Sequence, residues 1–377
     1  MSGSLFLAWQ YLRRNPLITG VLTAALTLII LLPAVLLLVF DHASRHMLAR
    51  AESTPLVLGA KGSPLELVLG TLYFGEPSPQ VIRMSQINRL REMDHGTVIP
   101  MHTGVRIRGA VLVGTTNDYF SLRKLGIAHG KGTSNPGECV IGDEVSRRLG
   151  IQEGDTLVAS DPRAFNLQEA PLQLRVAGVL RRTETADDQA IFVDLKTVWI
   201  VKGLGHGHDE EAGHGTEAGK KHTTITPGNL ASFHFHGDED ELPVTAAIVL
   251  PKDSKARTLM LGEFLSPEET IQLIRPDEVM QSLFSTVLTI RRYVASLVGT
   301  VSLVTLGVIA LVIALSIRLR RGEIETMKKI GCARHTVLLI LTVQILLILL
   351  VSTAIAAGLT GLAYAFGDEL MRWLILR

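Results

Sequence analysis

Twenty-four consecutive residues, Leu17 to Phe40, carry no charge. At about 1.5 Å per residue, a helix of that length covers a bilayer core of about 30 Å. In lipid every backbone donor and acceptor must be satisfied within the segment, and a helix does this. The run is about twice the length of a signal-peptide apolar region, and no small-residue cleavage pattern follows it. It is read as a retained membrane anchor over residues 17–40. Two further apolar runs lie near the other end, at 293–317 and 337–366. The second of these finishes in STAIAAGLTGLAYAF, whose small residues let helices approach closely. Gln344, inside it, reads as an interhelical hydrogen-bonding group rather than a transport ligand.

Lysine and arginine near the run ends set the orientation. Between the second and third runs lie Arg318, Arg320, Arg321, Lys328, Lys329 and Arg334, against only Glu323 and Glu325. Arg13 and Arg14 precede the first run. Both sets mark the cytoplasmic side. The expected topology is a cytoplasmic N-terminus, an extracytoplasmic stretch 41–292, a cytoplasmic loop 318–336 and an extracytoplasmic tail 367–377. Arg291 and Arg292 oppose this rule and are outvoted. The first residues, 1–16, are amphipathic, with Leu5, Trp9 and Leu12 on one helical face. Pro16 then permits a bend, so an interfacial elbow helix is expected.

The stretch 41–292 is long enough for a substantial core. VRIRGAVLVGTT, LQLRVAGVLRRT and VTAAIVL have the Val/Ile/Leu character of strands. DEVSRRLGIQEGDTLVAS reads as a helix stopped at Gly150, a turn at Glu153-Gly154-Asp155, then a strand. HASRHMLARAES and PDEVMQSLFSTVLTIRRYV continue the first two apolar runs as stalk helices. The expected fold is therefore three transmembrane helices plus an α+β extracytoplasmic domain on helical stalks.

The chain has 37 basic and 36 acidic residues, a net charge of +1. That balance gives no pull toward nucleic acid. The topology places Cys139 and Cys332 on opposite sides of the membrane, so they do not pair.

No phosphate-binding loop of the GxxxxGK[ST] order is present, and Gly59 and Gly62 in GAKGS read as turn residues. Asp187 and Asp188 are adjacent acids that sit easily in a turn, and no catalytic constellation is found. The segment 204–236 is rich in Gly, His and acids. It carries His206, His208, His214, His222, His234 and His236, of which the last two share a face if extended. Imidazole and carboxylate together suit zinc or another transition metal, but the spacing matches no structural zinc pattern. Two readings stand: a solvated linker, or a loop that captures metal.

Several segments, in order, resemble the MacB/FtsX-type (type VII) ABC transporter permeases. They are AWQYLRRNPLITG, VLGAKGSPLELVLGTLYF, VIGDEVSRRLGIQEGDTLV, RVAGVLRRTETADDQAIFVDL and RLRRGEIETMKKIGCARHTVLLILTVQILLI. The resemblance covers most of the chain. It implies that the loop 318–336 forms a coupling helix docking on a separate ABC ATPase. The matching positions are Arg321, Glu323, Ile324, Met327, Lys328, Lys329, Ile330 and Gly331. Family members usually have four spans, so three imply either a three-span variant or a transporter of which part comes from elsewhere.

The resemblance further implies a homodimer in a bacterial inner membrane, with the domain in the periplasm and ATP-Mg bound by the partner ATPase rather than by this chain. A hydrophobic substrate is one expectation; a role in metal homeostasis is another, suggested only by the His-rich segment. A periplasmic or lipoprotein partner belongs to the same picture. The rival expectation is an FtsX-like signalling subunit that transports nothing and regulates an external protein.

Overall fold

The computed structural model describes residues 2–76, 80–133, 135–160, 171–207, 223–225, 233–235, 237–266, 268–319, 322, 325, 329 and 334–365. It divides into two units, 1–45 with 284–377, and 46–283.

The first unit is helical. Helix α1 (Ser2–Arg14) ends at Asn15, and α2 (Pro16–Glu52) begins on Pro16. Proline suits a first helical position because its missing N–H would be unpaired there anyway. The Thr19 hydroxyl donates back to the Leu12 carbonyl at 3.1 Å and ties the two helices at the bend. Leu5, Phe6, Leu7 and Trp9 of α1 are exposed. The helix α10 (Arg334–Ala365) packs against α1 and α2 through a stripe spaced by four. Gln344, Ile348, Ser352 and Ala356 are its buried residues. The Ser352 hydroxyl donates to the Thr23 carbonyl at 3.1 Å, a contact that a bulkier residue would prevent. Gln344 is thus buried, as an interhelical role requires.

Among the described residues, two stretches are long and apolar enough to cross a bilayer, Thr19–Leu38 and Thr342–Ala365. The stretch 293–317 lies in α9 (Pro276–Leu319), a continuous helix whose apolar run is Val298–Gly307.

The second unit is built on a mixed eleven-stranded sheet. Strands β3 (Gly96–Ile107), β4 (Ala110–Thr115), β6 (Glu138–Ile141), β8 (Leu172–Leu180) and β9 (Ala190–Asp194) form one half, with β4–β9 and β6–β8 parallel. Strands β1 (Leu56–Ala60), β14 (Ala246–Pro251) and β15 (Ile271–Ile274) form the other. The long β3 belongs to both: residues Gly96–Met101 pair with β14, and His102–Ile107 pair with β4. A bulge between His102 and Val105 lies at the start of the β4 pairing, and Gly104 takes φ 115 there. A bulge of this kind bends and twists a strand, so one strand serves two cores.

Helix α7 (Leu195–Val201) divides its faces in the same way. Leu195 and Trp199 enter the core of the β1/β14 half, while Val198 and Val201 enter the other. The Trp199 indole N–H donates to the Pro243 carbonyl at 2.7 Å.

VRIRGAVLVGTT is two strands, not one, because Arg108-Gly109 forms a tight turn with φ of 49° and 84°. Both left-handed values fit the hairpin turn that matches strand twist. DEVSRRL is helix α6 (Asp143–Leu149), ended by Gly150 at φ 65, and β7 (Thr156–Ala159) follows. Gly59 corrects an expectation. It lies inside β1, and a Cβ there would fall 2.3 Å from the Leu67 side chain, so close helix packing rather than a turn requires it.

Candidate functional site

Within the second unit, one cluster of ionisable groups is buried, and it grips the end of α2. Arg50, in the last turn of that helix, is 8% exposed, and Asp187 is 1% exposed. Asp187 lies on a short 3-10 helix, Ala186–Gln189, capped by Thr185. The Arg50 guanidinium meets its carboxylate with two prongs, Nη1 to Oδ2 at 2.6 Å and Nη2 to Oδ1 at 3.0 Å. Nη2 also donates to the Tyr119 hydroxyl at 2.8 Å, and that hydroxyl donates to Asp187 Oδ1 at 2.7 Å. Arg50 Nε donates to the Leu72 carbonyl. The Thr185 hydroxyl donates to Asp187 Oδ2 at 2.9 Å.

This is the planar, bidentate geometry for which arginine is suited and lysine is not. Burial alone would raise the Asp187 carboxyl. The Arg50 hydrogen bond and charge outweigh it and hold the carboxyl below the ordinary carboxylate range. Burial pushes the Tyr119 hydroxyl well above its usual value, so it stays a neutral donor.

A second arginine closes the cluster. Arg123, at the end of α5 (Asn117–Arg123), donates to Ser53 Oγ at 3.0 Å and to Thr54 Oγ1 at 2.8 Å. Burial, then repulsion from Arg50, lowers its pKa. Arg50 of α2 is paired with the Asp187 carboxylate, while Arg123 is held by two hydroxyls at the end of that helix.

Phe74 shows what the cluster demands of the backbone. It takes φ 54, a left-handed conformation that costs a non-glycine residue about 1–2 kcal/mol. Its ring lies under the Arg50 guanidinium at 5.6 Å and edge-on to Phe192 at 6.1 Å. A glycine would relieve the backbone and lose both contacts. The neighbouring Asp188 plays a different part: it accepts from Thr183 N at 2.9 Å and Glu184 N at 2.7 Å, and so fixes the turn. The adjacent acids do sit in a turn, but in a buried one with separate tasks.

The residues expected to couple to an ATPase lie mostly outside the described residues; this applies to Arg321, Glu323, Ile324, Met327, Lys328, Ile330 and Gly331. Lys329 is described, helical and exposed, as is Glu325 one turn earlier. Of the histidines, His208, His214, His222 and His236 lie outside the described residues. His206 and His234 stand directly opposite each other where β10 (Gly205–Gly207) pairs with β12 (Phe233–Phe235). Among the described residues no three His, Cys, Asp or Glu come together to hold a metal. Cys139 is buried, unpaired and raised to about 12 by burial and by Glu138. Cys332 lies outside the described residues.

Sequence reading passed over Arg50, Tyr119 and Asp187 as a unit. The available signal was weak: an arginine in a stalk helix at the point where it enters the domain.

Comparison with known proteins adds the following. The family model of the MacB-like periplasmic core domain matches residues 22–221. Among solved structures, the periplasmic region of MacB from Actinobacillus actinomycetemcomitans is 13% identical, covering 63% of this chain and 97% of that one, with a TM-score of 0.36. The extracellular domain of the noncanonic ABC-type transporter YknZ from Gram-positive bacteria is also 13% identical, covering 58% and 98%, with a TM-score of 0.32. A domain of a putative permease protein from Porphyromonas gingivalis is 10% identical, covering 58% and 86%, with a TM-score of 0.26. A search of curated proteins finds no match. With its family model spanning more than half its length, the chain belongs to the MacB-like periplasmic core domain family, that of the MacB/FtsX-type ABC transporter permeases.

Proposed function

We propose that this chain is the permease subunit of an ABC transport complex and moves its extracytoplasmic domain when a separate ATPase hydrolyses ATP. The observation that carries the reading is the continuity of α2. One helix, Pro16–Glu52, contains the first apolar run and carries in its last turn Arg50, which is paired with Asp187 of the sheet domain. Helix α9 is likewise unbroken from Pro276, where the domain ends, to Leu319 at the head of the basic loop. In this reading, movement of the loop is passed along these helices, with no need for cargo to travel between the spans.

Three spans belong to this proposal, with 293–317 as the second. So do a homodimer, an inner-membrane location and the loop 318–336 as the docking element. Glu325 and Lys329 stand one helical turn apart, an arrangement that supports an exposed, charged helix. The cargo class is a hydrophobic molecule, and its support is the family alone. Metal handling has less support. His206 and His234 occupy opposite positions in one strand pair, and the other four histidines of the segment lie outside the described residues.

The test is charge reversal at Lys328 and Lys329 in the assembled complex. Stimulation of the partner ATPase should be lost while membrane insertion persists. Undiminished stimulation sinks the coupling role.

A further inference from the structure

Next to the Arg50 cluster, and sharing a wall with it, is a cavity of about 140 Å³. Arg106, Arg148, Tyr73 and Gln189 supply its polar lining, with Phe74 and Ala186 on the side toward the cluster. Phe74 faces two ways, because its ring also lies against Arg50. Ala186 immediately precedes Asp187.

The lining contains two guanidiniums and no carboxylate. Several exposed arginines of this domain are paired with acids, Arg89 with Glu263 and Glu269, Arg147 with Asp143 and Arg182 with Glu184, whereas neither cavity arginine is in an ion pair among the described residues. Arg106 has only a long bond to the Gly109 carbonyl, at 3.4 Å. Arg148 has no partner among the described residues. Glu144 accepts from the Gln189 amide at 3.3 Å but does not line the cavity. Arg50 lies behind the wall, its guanidinium 5.6 Å from the Phe74 ring.

Two things follow for an occupant. It is anionic, since two unpaired guanidiniums flank the space and arginine forks match phosphate oxygens. It is small, since liquid water takes about 30 Å³ per molecule and pockets for drug-sized ligands begin near 300 Å³. No acyl chain fits.

We infer that this cavity binds a phosphate group, held between Arg106 and Arg148 with the Tyr73 hydroxyl and the Gln189 side chain beside it. The binding stands apart from the ATPase-coupling reading and survives its failure. Its position gives it a consequence: an occupant presses on Phe74 and on the turn that carries Asp187.

The phosphate has two sources, a free anion or a phospholipid headgroup. Calorimetry on the full chain in detergent, with inorganic phosphate in one arm and glycerophosphoglycerol in the other, separates them. One probe should bind with a dissociation constant below about 1 mM. R106Q and R148Q should each weaken it at least about tenfold, and R148K should fall between, because lysine cannot make the two-pronged contact. R257Q, on the exposed face of the helix Ser254–Glu263, should bind as the parent does. Thermal unfolding of each variant confirms that the fold is kept. The tighter probe assigns the source. No binding of either probe, or equal binding by R106Q, R148Q and the parent, overturns the site.

Discussion

Arg50 and Asp187 lie 137 positions apart in the chain and form a buried, two-pronged ion pair that fastens the end of α2 to the sheet domain. Buried pairs are costly to break and cheap to replace. Removing one partner strands a charge and costs about 3–5 kcal/mol, whereas exchanging both for apolar residues is often neutral. Asp187→Asn is therefore expected to destabilise the full chain by about that amount. The double variant Arg50→Met with Asp187→Leu should recover most of the loss. Denaturant unfolding of the three proteins checks this. A loss below about 1 kcal/mol in the single variant would mean that the pair is not desolvated as described.

Gly142 and Gly150 flank helix α6 and make opposite demands. At Gly142 a Cβ would fall 2.2 Å from the Asp188 carbonyl oxygen, a backbone atom on the same turn as Asp187. Nothing on a flexible side chain is free to yield. Overpacking of this kind costs about 1–3 kcal/mol and sometimes more. At Gly150 there is open space, but φ is +65, and alanine pays only the left-handed penalty of about 1 kcal/mol. Gly142→Ala should thus destabilise more than Gly150→Ala. It should also be less than additive with Asp187→Asn, because both disturb one turn. Equal effects for the two glycines, with full additivity, would contradict the packing at Gly142.

His102 governs the acid limb of stability. It is fully buried beside the β3 bulge, and neither ring nitrogen makes a hydrogen bond of good geometry. Burial above all, then the charge of Lys202, pushes its pKa down to about 3, and the Pro243 carbonyl only partly opposes this. That carbonyl already receives the Trp199 N–H. In the unfolded chain histidine titrates near 6.5. As pH falls, the unfolded state takes the proton first, so stability drops from about pH 6.5 down to the folded value. The slope is about 1.4 kcal/mol per pH unit, or roughly 2 kcal/mol between pH 7 and 5. Asp187 acts lower. Its folded pKa is depressed, so its contribution is complete above about pH 4 and is lost only as pH falls further. His102→Leu should therefore flatten the unfolding free energy between pH 7 and 5. An unchanged slope would assign the limb to other groups.

What the sequence made legible was local. The helix through 17–40, the helix break before Pro16 and the α6–Gly150–β7 unit depend on residues within one or two turns of each other. The Arg50–Asp187 pair depends on a strand order that carries residue 187 to residue 50, and no periodicity encodes that. Asp187 and Asp188 look alike in sequence. One neutralises a guanidinium and the other caps a turn, a difference set by Thr185 and Glu184 around them. Gly59 was misread because glycine serves turns and close packing equally well. His102 gave no signal at all, since a lone histidine in a strand is unremarkable until its burial is known. The pairing of His206 with His234 needed the register of two short strands 28 positions apart.

The topology is open to direct measurement, and the coupling proposal depends on it. Glu325 and Lys329 are exposed helical positions between α9 and α10, and Lys61 is exposed at the start of the turn after β1. If six basic residues near 318–334 hold the loop inside, a cysteine at 325 is shielded from an impermeant maleimide until the inner membrane is opened. A cysteine at 61 reacts in intact spheroplasts. Cys332 must first be changed to Ser, whereas Cys139 is buried and stays silent without replacement. The expected pattern is labelling of Lys61→Cys from outside and of Glu325→Cys only after permeabilisation. Were Glu325→Cys labelled in intact spheroplasts, the loop would face away from any ATPase, and α9 would have no motor at its end.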